Sequence, residues 1–119
     1  MSFAPGEIVL AAFPFSDLSG IKRRPCVVLA VADTPDEFVV AFITSKTARE
    51  SLNSAVSVVP DHPQWRQTGL KTASVMRADK LATLHTRVIS GALGSLPADL
   101  RAVLKSKLMS LFQLTQTKT

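Results

Sequence analysis

Short apolar runs, each ended by turn-forming residues, constrain the fold of this chain more than any other feature of its sequence. The clearest runs are rich in β-branched and aromatic residues and have the length of buried strands; they span residues 7–13, 25–31, 37–43 and 55–59. Further strands are predicted at residues 73–78, 80–84 and 87–93. Because no helical segment separates these runs, the strands are expected to pair through turns in an antiparallel sheet.

The last part of the chain follows a helical pattern. After Pro97, apolar residues recur at helical spacing and basic residues occupy the other face. The apolar positions are Leu100, Val103, Leu104, Leu108, Leu111 and Phe112. Pro97 suits the first turn of a helix, and Asp99 complements the positive end of its dipole. The sequence therefore predicts an α+β, β-dominated fold, in which one C-terminal α-helix closes a small barrel-like antiparallel sheet.

Length and cysteine content bound the class of protein. The 119 residues fit one domain with a modest core, so we expect residues 1–119 to form a single domain, with 115–119 as a frayed tail. The apolar stretch at residues 8–15 is too short to span a membrane and follows no basic segment, so neither a membrane helix nor a signal peptide is predicted. Cys26 is the only cysteine and suits a small buried hydrophobic side chain. We expect a cytoplasmic protein that does not bind membranes.

The charge balance favours an acidic partner but does not identify it. A net charge of +5 attracts nucleic acid, an acidic protein or an anionic membrane surface alike. The two histidines, His62 and His85, lie far apart in sequence without a second ligand at metal-binding spacing, and no glycine-rich phosphate loop follows a strand. The sequence therefore predicts no metal and no cofactor.

Basic residues concentrate in Lys22-Arg23-Arg24-Pro25, which we expect to form a loop at the mouth of a strand. By frequency alone, such a run is more often a solvated charged surface than a binding site. Pro25, however, biases the backbone of Arg24 toward extended conformations, and the planar guanidinium matches phosphate geometry bidentately. We therefore predict that this loop handles a phosphate backbone.

Three further sets of residues are candidates for the same chemistry. Thr44 and Ser45 follow a strand end, with Lys46 behind them, where hydroxyl and N–H groups either hold phosphate oxygens or cap the loop. Arg77 and Asp79 share one side of a strand, as a surface ion pair or as an acid–base element in a cleft. The aromatic rings of Trp65 and Phe42 could stack on unpaired bases. For Phe42, packing in the core is the stronger interpretation. For Trp65, base stacking and core packing both stay open.

Together these segments resemble the MazF/PemK family of toxins from type II toxin-antitoxin systems, in order and over nearly the whole chain. The matching segments are Gly6-Glu7-Ile8-Val9, Phe13-Pro14-Phe15-Ser16-Asp17, Lys22-Arg23-Arg24-Pro25, Ile43-Thr44-Ser45 and Ser74-Val75-Met76-Arg77-Ala78-Asp79. The resemblance implies an SH3-like barrel with a terminal helix, a homodimer, a cognate antitoxin and metal-independent cleavage of single-stranded RNA. In such enzymes the ribose 2′-OH attacks the adjacent phosphate.

The same resemblance implies roles for individual residues. Arg24 matches the principal catalytic arginine, Thr44 a phosphate-contacting hydroxyl, and Arg77 with Asp79 a second catalytic pair. The residues expected to contact RNA are Lys22, Arg23, Ser45 and Lys46.

The resemblance assigns no catalytic role within two variable segments. Residues 46–53 and 61–72 vary in such proteins and are expected to set the RNA sequence preference. Two alternatives remain: a non-enzymatic poison of DNA gyrase on a similar barrel, and an RNA-binding module that does not cut.

Overall fold

The structure is a computed structural model that describes residues 2–14, 21–47 and 51–114. Residues 15–20, which carry the end of the matching segment at residues 13–17, and the predicted tail at 115–119 lie outside the described residues. So do residues 48–50 of the polar segment that follows the third predicted strand.

In the part of the chain that the structure describes, six strands form one antiparallel sheet. They are β1 (Glu7–Pro14), β2 (Ile21–Val31), β3 (Glu37–Thr44), β4 (Ala55–Val58), β5 (Ser74–His85) and β6 (Ile89–Ser95). Their order across the sheet is β4-β5-β3-β2-β1-β6, followed along the chain by one helix, α1 (Ala98–Leu111). The β-dominated α+β fold with a C-terminal helix is thus confirmed. Over the described ranges, β4 and β6 are the edges of the sheet, which therefore does not close into a complete barrel.

Both faces of the sheet bury apolar side chains. On one face a helix-side core packs under α1; its buried members are Ile8, Val27, Ala41, Ile43, Val56, Val58, Met76, Ala78, Leu96 and Leu104. The alternate residues form an opposite core of Phe3, Val9, Ala11, Cys26, Val28, Phe38, Val40 and Ile89. Burial on both faces explains why the central strands read as continuous apolar runs rather than as alternating ones.

The prediction that Lys22, Arg23 and Arg24 form a loop is wrong, because β2 begins at Ile21 and includes all three. The reason is the length of the β1–β2 hairpin, whose register pairs Leu10 with Pro25 and continues to the tip. The ladder between β2 and β3 begins only at residue 26. Pro25 therefore sits where β2 has β1 as its ladder partner, a position in which a missing N–H is tolerated.

The strands predicted at residues 73–78 and 80–84 are one strand, β5, interrupted by an irregularity. The register with β3 jumps from Ala41 opposite Leu81 to Phe42 opposite Arg77, which leaves residues 78–80 without a β3 partner. The N–H of Ala78 instead donates to the carbonyl of Ser54, 2.9 Å away. The bulge bends β5 so that its first half also pairs with β4.

The predicted helix is confirmed, beginning at Ala98 directly after Pro97. Its apolar face is only partly covered: Leu104 is buried in the helix-side core, and Leu100 and Leu108 pack against it. Val103 and Phe112 stay 43% and 53% exposed. In the described part of the chain, no helix is both long and apolar enough to cross a membrane.

Candidate functional site

A cavity of about 420 Å³ opens beside the first residues of β2, and we call it the basic groove. One wall is residues 22–25. The other wall is residues 69–72 with Ser74, and apolar side chains complete the lining. The lining residues are Leu10, Lys22, Arg23, Arg24, Pro25, Ile43, Ser45, Gly69, Leu70, Lys71, Thr72, Ser74 and Leu93.

Four of the sequence-predicted residues therefore meet at one place: Lys22, Arg23, Arg24 and Ser45 all line the basic groove. Lys22 and Arg23 are exposed, whereas Arg24 is half-buried. The β1–β2 hairpin explains why these basic residues lie together: β2 continues beyond its ladder with β3, paired there with β1 alone, so its basic residues lie at the end of the sheet. A rigid strand, rather than a loop, presents these charges.

A second grouping lies on the face of the opposite core. Alternation along β2 places Arg24 on the same face as Cys26, and alternation along β3 places Thr44 with Phe42. The β2–β3 ladder ends at Cys26 and Phe42; continued two residues further, the same register would put Arg24 opposite Thr44. Arg77 is paired with Phe42 from the far side of β3, on that same face. Arg24 thus belongs to both groups, while Thr44 and Arg77 do not line the basic groove.

Arg77 and Asp79 form a bidentate ion pair. Nε of Arg77 donates to Oδ1 of Asp79 and its Nη2 donates to Oδ2, both at 2.8 Å. The hydrogen bonds from Arg77 outweigh partial desolvation and, with a further bond from Ser54, lower the pKa of Asp79 to about 2. The same pairing raises the pKa of Arg77. At neutral pH Asp79 is thus an anion that fixes the guanidinium and has no proton to donate.

Thr44 and Lys46 are linked to each other at the end of β3. The backbone N–H of Lys46 donates to Oγ1 of Thr44 across 3.1 Å, so this hydroxyl caps the turn as one of the sequence alternatives held. Lys46 is exposed and lies outside the groove lining. The hydroxyl of Thr44 is therefore held at the end of β3, whereas the Lys46 side chain is exposed.

Two other titratable groups considered for chemistry, His62 and Cys26, are held by the fold rather than placed in the groove. Nε2 of His62 lies 2.8 Å from a carboxylate oxygen of Asp99, and its Nδ1 accepts from the N–H of Gln64. Cys26 is buried, and desolvation raises the pKa of its thiol to about 12. Within the described ranges, no group of three or more His, Cys, Asp or Glu side chains comes together in a way that could hold a metal ion.

The sequence predicts a part for residues 61–72 in RNA preference, but it assigns no individual residue of the far wall to the site and gives Ser74 and Leu93 no place in the groove. Residues 69–72 and Leu93 approach the cations only through the tertiary fold. The one local signal was Gly69, whose left-handed backbone (φ +70°) ends the 3-10 turn Trp65–Thr68. Trp65, left open by the sequence, packs against the helix-side core. Phe42 packs against the opposite core, as its core interpretation predicted.

The fold of this chain is similar to those of several solved structures, among them two of MazF toxins and one of an endoribonuclease, which establishes the class of fold. A complex of MazE with MazF from Deinococcus radiodurans superposes with a TM-score of 0.74 at 24% identity, covering 97% of this chain and 99% of that one. A Mycobacterium tuberculosis toxin, MazF-mt6, gives 0.70 at 23% identity, with coverages of 92% and 99%. An endoribonuclease in complex with its cognate antitoxin, from a mycobacterial species, gives 0.72 at 15% identity, with coverages of 98% and 100%.

The family model settles the membership. Residues 4–112 match the model of the PemK-like, MazF-like toxins of type II toxin-antitoxin systems. The chain therefore belongs to this toxin family, as its ordered sequence motifs predicted. No curated protein matches it.

Proposed function

We propose that this member of the toxin family is an endoribonuclease that cleaves single-stranded RNA without a metal ion. The observation that carries the proposal is the basic groove, where the fold collects Lys22, Arg23 and Arg24 with the hydroxyl of Ser45. A groove of about 420 Å³ with cations along one wall suits a phosphodiester backbone whose bases are not paired. The similarity to a mycobacterial endoribonuclease agrees with this chemistry.

In the proposed reaction the ribose 2′-oxygen attacks the adjacent phosphorus. The 2′-O–P bond forms and the P–5′-O bond breaks, while one proton leaves the 2′-hydroxyl and another reaches the departing 5′-oxygen. The products are a 2′,3′-cyclic phosphate and a free 5′-hydroxyl. Negative charge builds on the non-bridging oxygens in the transition state, so cations placed there accelerate the step.

Arg24 is the residue that we assign to that charge. It is half-buried at the groove, where a guanidinium interacts with an anion more strongly than in open water. Two N–H groups of one guanidinium can bind two non-bridging oxygens at once. Thr44, expected opposite Arg24 across the β2–β3 register, is proposed to contact the same phosphate.

Arg77 is proposed as a second cation on that face, with Asp79 as the group that orients it. A carboxylate whose pKa lies at about 2 is a weak base and carries no proton at neutral pH. Its two bonds to Arg77 leave the guanidinium in a fixed plane. The rest of the RNA strand, away from the scissile phosphate, is proposed to bind four residues: Lys22, Arg23, Ser45 and Lys46.

Incubation of the purified protein with a long single-stranded RNA in excess chelator tests this function. We expect discrete fragments that carry cyclic phosphate ends, and a loss of about 100-fold or more in kcat/KM for Arg24→Ala. Arg87→Ala is the matched control, since Arg87 is an exposed arginine in the turn after β5. Absence of cleavage, or equal rates for the Arg24 and Arg87 variants, would contradict the proposal.

The partner and assembly proposals follow from family membership and charge. An acidic, partly disordered antitoxin segment would bind the basic groove and exclude RNA. Competition between the antitoxin and a labelled RNA is the corresponding measurement, and a complex that still cuts RNA at the free rate would argue against a shared site. The toxin is further proposed to act as a cytoplasmic homodimer, which sedimentation of the purified chain tests.

One observation bears on the gyrase alternative. The C-terminal end exposes apolar side chains, Leu111 at 43%, Phe112 at 53% and Leu114 at 65%. Such a patch fits contact with a partner protein. Inhibition of gyrase supercoiling that persists in Arg24→Ala and disappears in Phe112→Ala would favour this function over RNA cleavage.

A further inference from the structure

The far wall of the basic groove rests on a β-bulge in β6. The register with β1 runs from Ile8 opposite Gly94 to Val9 opposite Ala92, so Leu93 is an extra residue in β6. Bulges of this kind redirect a side chain and strengthen the local twist. Leu93 turns toward the groove and lines it, although β6 lies at the edge of the sheet.

Two glycines let the wall pack directly on this bulge. A Cβ on Gly94 would lie 2.2 Å from the carbonyl oxygen of Gln67 and 2.6 Å from the carbonyl carbon of Thr68. A Cβ on Gly69 would lie 2.0 Å from the carbonyl oxygen of Leu93. The backbones of the two segments therefore touch in a way that no other residue type permits.

The packed segment is stiff, so a displacement at this contact reaches the groove. The buried Thr68 hydroxyl donates to the carbonyl of Trp65 and accepts from the N–H of Leu70. Ser74 donates to the carbonyl of Thr72 at the other end of the wall. Gln67 adds a side-chain bond of 3.2 Å to Ser95, next to Gly94. Because these bonds link residues 65–70 to one another and to β6, we expect a displacement of residues 67–69 to shift the wall relative to the cations of β2.

We propose that Gly94 is a positioning residue that sets the width of the basic groove, and through it the preference for single-stranded RNA; this inference rests on the proposed function. Any side chain at position 94 must increase the distance from its Cβ to residues 67–68 by at least about 1.2 Å, from 2.2 Å to 3.4 Å, to reach ordinary contact distances. The wall at residues 69–72 then recedes from Lys22, Arg23 and Arg24. Contacts that bind the RNA strand weaken, while the groups around the scissile phosphate keep their places.

Gly94→Ala tests the inference, with Gly91→Ala as the matched control. Both glycines lie in β6, but a Cβ at Gly91 meets no atom within 4 Å. The backbone of Gly94 lies outside the left-handed region, so alanine adds the Cβ without forcing an unfavourable φ at position 94. We expect KM for a single-stranded RNA to rise about tenfold in Gly94→Ala with kcat changed less than about twofold, and both constants unchanged in Gly91→Ala.

A second readout separates groove width from a general loss of structure. The wild-type chain should cut a site in an unpaired strand faster than the same site within a hairpin stem. Gly94→Ala should lower the ratio of kcat/KM for the unpaired site to kcat/KM for the paired site. If Gly94→Ala does not fold, Ser95→Ala removes only the bond to Gln67, and we expect KM to rise about threefold with kcat unchanged.

Equal KM and equal discrimination in wild type and in folded Gly94→Ala would overturn the positioning role alone. For the Ser95→Ala route, an unchanged KM would do the same. Failure of the wild-type chain to cut RNA at all would overturn the proposed function, and the inference with it. The two failures are therefore distinguishable in one set of assays.

Discussion

The ion pair between Arg77 and Asp79 leads to a quantitative prediction for Asp79→Asn. Two bonds of 2.8 Å join the side chains, and they lower the pKa of Asp79 from 3.8 to about 2. Asparagine keeps the shape of the side chain but removes the charge and one acceptor oxygen. We expect this variant to have a lower free energy of unfolding at neutral pH.

The expected loss is about 1 kcal/mol. A lowering of the pKa by this amount corresponds to between about 2 and 3 kcal/mol for a group shielded from water. The Asp79 side chain is 34% exposed, however, so solvent screens the pair and most of that value is discounted. A loss of about 1 kcal/mol lowers Tm by roughly 4 °C in a domain of this size.

The effect depends on pH in a defined direction. Folding depresses the pKa of Asp79, so its contribution to stability is present above about pH 4 and is lost as the pH falls toward 2. The difference in unfolding free energy between wild type and Asp79→Asn should therefore be largest near neutral pH. It should shrink steadily in acid.

Urea unfolding, followed by circular dichroism at neutral and at acidic pH, measures this difference. Asp33→Asn is the control, since Asp33 is exposed in the turn between β2 and β3. A difference that stays the same size down to pH 2, or one no larger than that of the control, would refute the proposed strength of the pair.

Three further predictions concern other parts of the molecule. Burial raises the pKa of the Cys26 thiol to about 12, so iodoacetamide should label Cys26 only after unfolding, as mass spectrometry would show; rapid native labelling would contradict this. His62→Ala removes the bond to the exposed carboxylate of Asp99 and should lower the unfolding free energy only slightly, no more than His85→Ala, which removes a turn-capping bond to the N–H of Arg87, in parallel urea titrations; a clearly larger loss for His62→Ala would contradict this. Fluorescence anisotropy with a non-cleavable, 2′-deoxy-substituted strand should show RNA affinity falling with salt concentration. Lys22→Ala should reduce the slope of the logarithm of the binding constant against the logarithm of the salt concentration by about one unit. Equal slopes for the two proteins would place Lys22 outside the RNA contact.

The elements themselves were largely predictable from sequence. Apolar runs with β-branched residues located β1, β3 and β4 to within a few residues, and helical spacing after Pro97 located α1. These signals are local, because strand and helix patterns depend on side chains two to four positions apart. The ordered motifs also identified the family, which the match over residues 4–112 confirmed.

The loop assignment of residues 22–24 failed for a non-local reason. Charged residues before a proline look like a turn when only their neighbours in sequence are considered. The register of the β1–β2 hairpin instead extends the strand past Pro25 to Ile21. In the same way, the single strand β5 exists because β3 pairs with it on both sides of the bulge at residues 78–80.

The sequence by itself determined the strand-rich pattern, the terminal helix, the family and the identity of the basic residues. Only the tertiary structure decided which of them meet. Strand alternation put Arg24 and Thr44 on the same face of the sheet, and the bulge at Leu93 with two close-packed glycines brought residues 69–72 to the groove that the cations line. These arrangements depend on contacts between residues far apart in sequence, for which no local pattern carries a signal.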